Sequence, residues 1–113
     1  MSTLKNKRSN DPFDRLIFEK GLRIVNVIPE KKLGIMVIIL NNGKVLRVDL
    51  STFKSLKKAS QIQLNKWNLI SNGIGIEWND LDEDLSLKGI IKDAALNSAL
   101  DQLEGKPKMD LVI

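Results

Sequence analysis

The dipeptide Asn-Gly occurs twice, at positions 42–43 and 72–73, each time between two β-prone runs. Both residue types tolerate positive φ, so the pair signals a two-residue type I′ hairpin, whose twist matches that of its strands. Before the first turn lies an aliphatic run over residues 33–40, with Ile35, Met36, Val37, Ile38 and Ile39 in succession. A strand apolar on both sides is expected at the centre of a sheet, covered at least in part on both faces. After the turn, residues 44–50 alternate, with Leu46, Val48 and Leu50 on one face and Arg47 and Asp49 on the other. The second hairpin joins residues 67–71 to 74–78, and Ile74, Ile76 and Trp78 share a face at period two.

Other segments complete the pattern. Residues 22–28 read as a fifth strand, stopped by Pro29, which cannot donate to a ladder. Asp11-Pro12 opens a short helix over residues 12–20, ended by Gly21. Residues 51–65 suggest one or two short helices with Ser51 and Ser60 as caps. Residues 80–86 form an acidic turn into a helix over 88–104, with an apolar stripe of Leu87, Ile90, Ile91, Ala94, Ala95 and Leu103 and a stop at Gly105-Lys106-Pro107. A polar tail (residues 1–11) and a short apolar one (109–113) flank these elements. The expectation is a small single α+β domain, with two β-hairpins and about five strands packed against short helices and a C-terminal helix. Its core should include Ile24, Val37, Ile39, Leu46, Val48, Leu69, Ile76, Trp78 and Ile90.

The composition removes much chemistry. The 113 residues include no Cys, His or Tyr. Thiol and imidazole nucleophiles, His-dependent triads, Cys/His zinc sites, iron–sulfur clusters and disulfides are therefore all excluded. An enzyme would have to work with carboxylates or lysines, and neither an enzyme nor a cofactor is expected. No window approaches a membrane span, and the polar N-terminus lacks a secretory stretch, so the cytoplasm is the expected location.

Charge is unevenly divided. The net charge is +4, but residues 1–70 carry 14 Lys and Arg against 5 Asp and Glu, and residues 71–113 carry 4 against 9. A basic face suits an acidic partner such as nucleic acid. It equally suits plain solvation, and no aromatic residues are interleaved with the charges to stack on bases. The cluster Lys54, Lys57, Lys58 and Lys66 reads more simply as a solvated helix face than as a phosphate contact.

Four further features are candidate sites. Asp80, Asp82, Glu83 and Asp84 form the densest carboxylate cluster, but the spacing lacks the glycine and the terminal glutamate of a calcium loop. Carboxylates ahead of a helix satisfy free N–H groups and the positive end of the dipole, with Ser86 or Asp84 as the cap; a partner-binding surface is the other use. Gly73-Ile74-Gly75-Ile76 lies inside a hairpin and lacks the lysine of a phosphate loop, so no nucleotide site is expected there. Trp78 belongs in the core; Trp67 serves either the core or a protein contact. Leu96, Leu100 and Leu103, spaced by four and three, either pack on the chain's own sheet or present an apolar patch to a partner.

The segment 64–91 carries a resemblance. Trp67, the hairpin Gly73-x-Gly75-Ile76-x-Trp78, the run Leu81-Asp82-Glu83-Asp84-Leu85-Ser86 and Gly89-Ile90-Ile91 resemble the bacterial domain-of-unknown-function family 2442. The upstream strands, Asn42-Gly43 and Val48-Asp49-Leu50 agree, so the resemblance covers roughly residues 22–92. Asn79 stands where relatives usually carry proline. The resemblance divides the chain into a tail and short helix (1–20), an α+β core (21–92) and a C-terminal helix and tail (93–113). It implies no enzymatic activity and the antitoxin side of a toxin–antitoxin pair. The implied partner is a small protein of domain-of-unknown-function family 4160. Some relatives append a helix-turn-helix domain, whereas the twenty or so residues here after the core suffice for one helix. The expected function is thus a protein-binding module, with Trp67, Asp82, Glu83, Asp84, Leu96, Leu100 and Leu103 as candidate contacts. The alternative is a nucleic-acid-associated protein using the basic face of residues 1–70.

Overall fold

Six strands form two three-stranded antiparallel sheets in the computed structural model, which describes residues 10–105. The first sheet has the order β1 (Ile24–Glu30), β2 (Ile35–Leu40), β3 (Val45–Asp49). The second has the order β4 (Asn68–Ile70), β5 (Gly75–Trp78), β6 (Glu83–Ser86). A short helix α1 (Pro12–Asp14), widening into a π turn over Arg15–Glu19, precedes them. Helices α2 (Lys54–Lys58) and α3 (Gln61–Leu64) connect the sheets, and α4 (Leu87–Leu103) follows the second. The α+β expectation holds, with one strand more than the five read from sequence. The polar tail up to residue 9 and the apolar tail 109–113 lie outside the described residues.

The first hairpin closes one residue differently from the expected turn. Gly43 N–H donates to the Leu40 carbonyl at 3.0 Å, and Gly43 alone in the loop has a positive φ, +85°. The loop is therefore Asn41-Asn42-Gly43, with glycine in the left-handed position, rather than a two-residue Asn-Gly turn. This sets Leu46 opposite Ile38 and Val48 opposite Met36. A two-residue loop would have set them opposite Ile39 and Val37. A one-residue slip exchanges the faces of a strand. The core side of β2 is accordingly Met36, Ile38 and Leu40; Ile39 is half-buried and Val37, though buried, lies on the other face. The remaining core expectations fall on the core side: Ile24, Ile76, Trp78 and Ile90 are buried, and Leu46, Val48 and Leu69 pack against them half-buried. Trp78 is 1% exposed, and its indole Nε1–H donates to the Leu64 carbonyl at 2.9 Å.

Pro29 does not stop β1, which runs on to Glu30. As an edge strand it has one row of N–H groups outside any ladder, and proline is tolerated there. Ser60 caps α3 in a reciprocal box with Gln63, as expected, but Ser51 lies within a 3₁₀ turn and caps nothing. Asp11 caps α1 through the Phe13 N–H at 2.9 Å. Lys88 Nζ then ties this helix to α4, 3.0 Å from Asp11 Oδ2 and 2.8 Å from Asp14 Oδ1.

Candidate interaction site

The acidic run is not a helix-start cluster. Asn79–Leu81 form a 3₁₀ turn, Asp82 turns the chain at φ +50°, and Glu83 and Asp84 belong to β6. Ser86 alone caps α4, its hydroxyl accepting from the Gly89 N–H at 3.0 Å. Glu83 turns inward, its Oε1 accepting the Ser55 hydroxyl, and so locks β6 to α2. Asp84 faces Glu77 across the ladder, and Asp80 meets Lys66 at 3.7 Å on the surface. Among the described residues no group of three or more acidic side chains is arranged to hold a metal ion.

Helix α4 has two unlike halves. Its first turns bury Leu87, Ile90 and Ile91 in the core. Beyond Ile91 the side chains turned toward β3 are small or polar, with Ala94, Ser98 and Asp101 half-buried. Such side chains cannot fill the space to the sheet, and an open cleft of about 840 Å³ remains, within the size range of binding sites. All five residues of β3 line it, together with Phe53, Ala94, Ser98 and Leu100 among others. Asp93, Asp101 and Glu104 add negative charge along the helical wall, while Arg47 is paired with Asp49 at 3.5 Å.

The three leucines are exposed, and of them only Leu100 lines this cleft. Leu96 is 58%, Leu100 46% and Leu103 83% accessible, so the stripe does not pack on the chain's own sheet. Leu100 reaches the rim of the cleft. The other candidate contacts are elsewhere. Trp67 precedes β4 and is half-buried against the core. Asp82, Glu83 and Asp84 precede α4, and the thirteen residue steps from Leu87 to Leu100 rise about 20 Å along a helix. The seven candidate contacts therefore do not form one site; the three leucines do share one surface. Lys54, Lys57, Lys58 and Lys66 are all solvent-exposed.

The spacing of the leucines made that surface legible in the sequence. The cleft and the open edge of β3 were not, although the small residues Ala94, Ala95 and Ser98 after Ile91 mark where the helix stops filling space. No described helix is long and apolar enough to cross a membrane.

Comparison with known proteins gives three results. The family described as "Protein of unknown function (DUF2442)" matches residues 24–95. A crystal structure of a protein of unknown function from Rhodospirillum rubrum is 26% identical, with a TM-score of 0.57, over 64% of this chain and 87% of that one. A solution structure of an uncharacterised protein from Chromobacterium violaceum shares the fold, with a TM-score of 0.60 at 22% identity, over 97% of this chain and 94% of that one. No curated protein matches the chain.

Proposed function

The chain belongs to the DUF2442 family, and on that premise we propose that it is a non-enzymatic protein-binding module, the antitoxin-side member of a small two-protein pair. The observation that carries this reading is the solvated stripe Leu96, Leu100 and Leu103 on a helix whose first turns are anchored in the core. An amphipathic helix offering residues at spacings of three and four is a common means of filling a partner's apolar groove. Burying one leucine fully is worth about 1.5–3 kcal/mol, so three partly exposed ones supply several kcal/mol toward association. Acidic neighbours (Asp93, Asp101, Glu104) give the patch a polar rim that favours a basic partner surface. The partner in this reading is a small protein of family 4160.

The experiment is to co-express the tagged full chain with such a partner and measure the affinity of the purified pair by calorimetry. Leu96→Asp with Leu100→Asp should weaken binding at least tenfold while leaving the unfolding midpoint unchanged. Undiminished affinity in this variant would overturn the assignment. So would tight, salt-steep binding of the intact chain to DNA or RNA through the lysines of residues 1–70, which is the behaviour of a nucleic-acid protein.

A further inference from the structure

The two edges of the first sheet are finished differently. Leu40 N–H donates to the Lys44 carbonyl and Leu50 N–H to the Gly34 carbonyl, both at 2.9 Å, and hydrogen-bonded pairs alternate along an antiparallel ladder. Val27 and Pro29 therefore turn their backbone groups away from β2 on one edge, as Val45 and Arg47 do on the other. Side chains block the β1 edge. Val27 N–H donates to Asn26 Oδ1 at 2.9 Å, Pro29 has no N–H, and Gln61 Nε2 donates to the Pro29 carbonyl at 2.9 Å. Gln61 Oε1 also accepts the Lys31 N–H at 2.8 Å, so one carboxamide stands in for a neighbouring strand. Val45 and Arg47 have no such cover: among the described residues nothing takes their outward N–H and carbonyl groups. Asp49 ends the open stretch, because its carbonyl is used by the 3₁₀ turn Leu50–Thr52.

We propose that the open stretch of β3 takes one added strand, an extended segment of the partner protein that carries basic residues toward α4. Resting on the protein-binding reading, it adds the way the partner is held. An edge that is not blocked is a template for strand addition, and its backbone groups supply the affinity while side-chain chemistry selects the segment. Here the selection is by charge. The cleft of about 840 Å³ beside β3 has α4 as its second wall, and the charged side chains on that wall are Asp93, Asp101 and Glu104. The one basic residue in the lining, Arg47, stands on the strand and pairs with Asp49 at 3.5 Å. Lysines or arginines on the incoming segment meet this acidic wall, and apolar residues between them meet Val48, Phe53 and Ala94. A second copy of the chain is the poorer occupant. Pairing β3 with its own counterpart brings two acidic walls to the same side of the joined sheet, and like charges brought together oppose association.

Amide exchange by NMR and calorimetry, on the full chain and on the purified pair, test it. The Val45 and Arg47 amides should exchange at least tenfold more slowly in the pair than in the isolated chain, with the inward amides of Leu46 and Val48 protected in both. Arg47→Pro removes one outward N–H without touching the ladder to β2, as Pro29 does in β1, and should weaken the pair at least tenfold. Arg47→Ala keeps that N–H and should bind within about threefold of the parent. Protected Leu46 and Val48 amides in Arg47→Pro show that its fold is intact; should they be lost, Asp93→Lys with Asp101→Lys supplies the second variant, again with at least a tenfold loss. A pair that forms while Val45 and Arg47 exchange as fast as in the isolated chain overturns the added strand and leaves the protein-binding reading standing. Failure of any pair to form overturns both. Slow exchange of these two amides in the isolated chain, or protection that rises with its concentration, overturns the added strand, because the edge is then covered without the partner.

Discussion

Ile24 and Gly73 join the two sheets: the Ile24 N–H donates to the Gly73 carbonyl at 2.8 Å, at the first residue of β1 and the tip of the β4–β5 loop. The contact works because Gly73 has no side chain. A Cβ there would lie 2.2 Å from the Ile24 carbonyl oxygen and 2.9 Å from its nitrogen, and the residue's φ is +108°.

Gly73→Ala should therefore destabilise the fold by more than about 3 kcal/mol, since backbone strain and overpacking each cost about 1–3 kcal/mol. Urea denaturation measures it. A loss below about 1 kcal/mol would mean that the loop tip moves away without consequence.

Trp78→Ala should cost about 3–5 kcal/mol through the cavity it leaves. Loss of the indole N–H also strands the buried Leu64 carbonyl. Trp78→Phe keeps most of the volume and should cost less, so the two variants separate packing from the hydrogen bond in chemical denaturation.

Ser86→Ala should lose about 1 kcal/mol, because its hydroxyl alone caps α4. Asp82→Asn and Asp84→Asn should stay within about 0.5 kcal/mol of the parent, as substitutions at exposed positions that cap nothing. A cost above about 1 kcal/mol for Asp84→Asn would return that carboxylate to the helix start.

Docking of α1 should depend on pH at both extremes. The Lys88 ammonium, with help from the Phe13 N–H, holds the Asp11 carboxyl below its usual range, and Asp14 and then Asp11 raise Lys88 above its own. A lowered carboxyl contributes above its unfolded value of about 3.9 and is lost as pH falls through its folded value; a raised amine contributes below about 10.4 and is lost as pH rises through its folded value. Chemical shifts of the Ile17 methyl groups should report full docking between about pH 4 and pH 10. An identical profile in Lys88→Met would refute the link.

What the sequence made legible follows local chemistry. The presence of both hairpins, the Asp11 and Ser60 caps and the burial of Trp78 rest on side chains acting on near neighbours or on strict alternation, but neither hairpin closes by the expected two-residue turn: the second loops through residues 71–74, with Ser71, Asn72 and Gly73 all at positive φ. The face of β2 was not legible, because an unbroken aliphatic run has no parity and the loop length decides it. Strand β6 was hidden because Glu83 and Asp84 are poor strand formers. Its place is fixed instead by pairing with β5, by the left-handed turn at Asp82 and by the buried Leu85. The leucine stripe could be read from spacing, but the cleft exists only because α4 comes to rest beside the open edge of β3, a relation between segments far apart in the chain.

Every strand-to-strand connection within the two sheets spans three or four residues: 31–34, 41–43, 71–74 and 79–82. Each sheet is therefore assembled from neighbours, and closing such short loops takes well under a microsecond. The entropic toll of folding is concentrated instead in one event, the meeting of Ile24 with Gly73 across the intervening chain. Because closure entropy grows only with the logarithm of loop length, lengthening the linker around α2 and α3 should slow folding modestly. Altering the Gly73 contact changes the reward for that single step, and the rate at which the two sheets find each other is where its effect on folding speed should be seen.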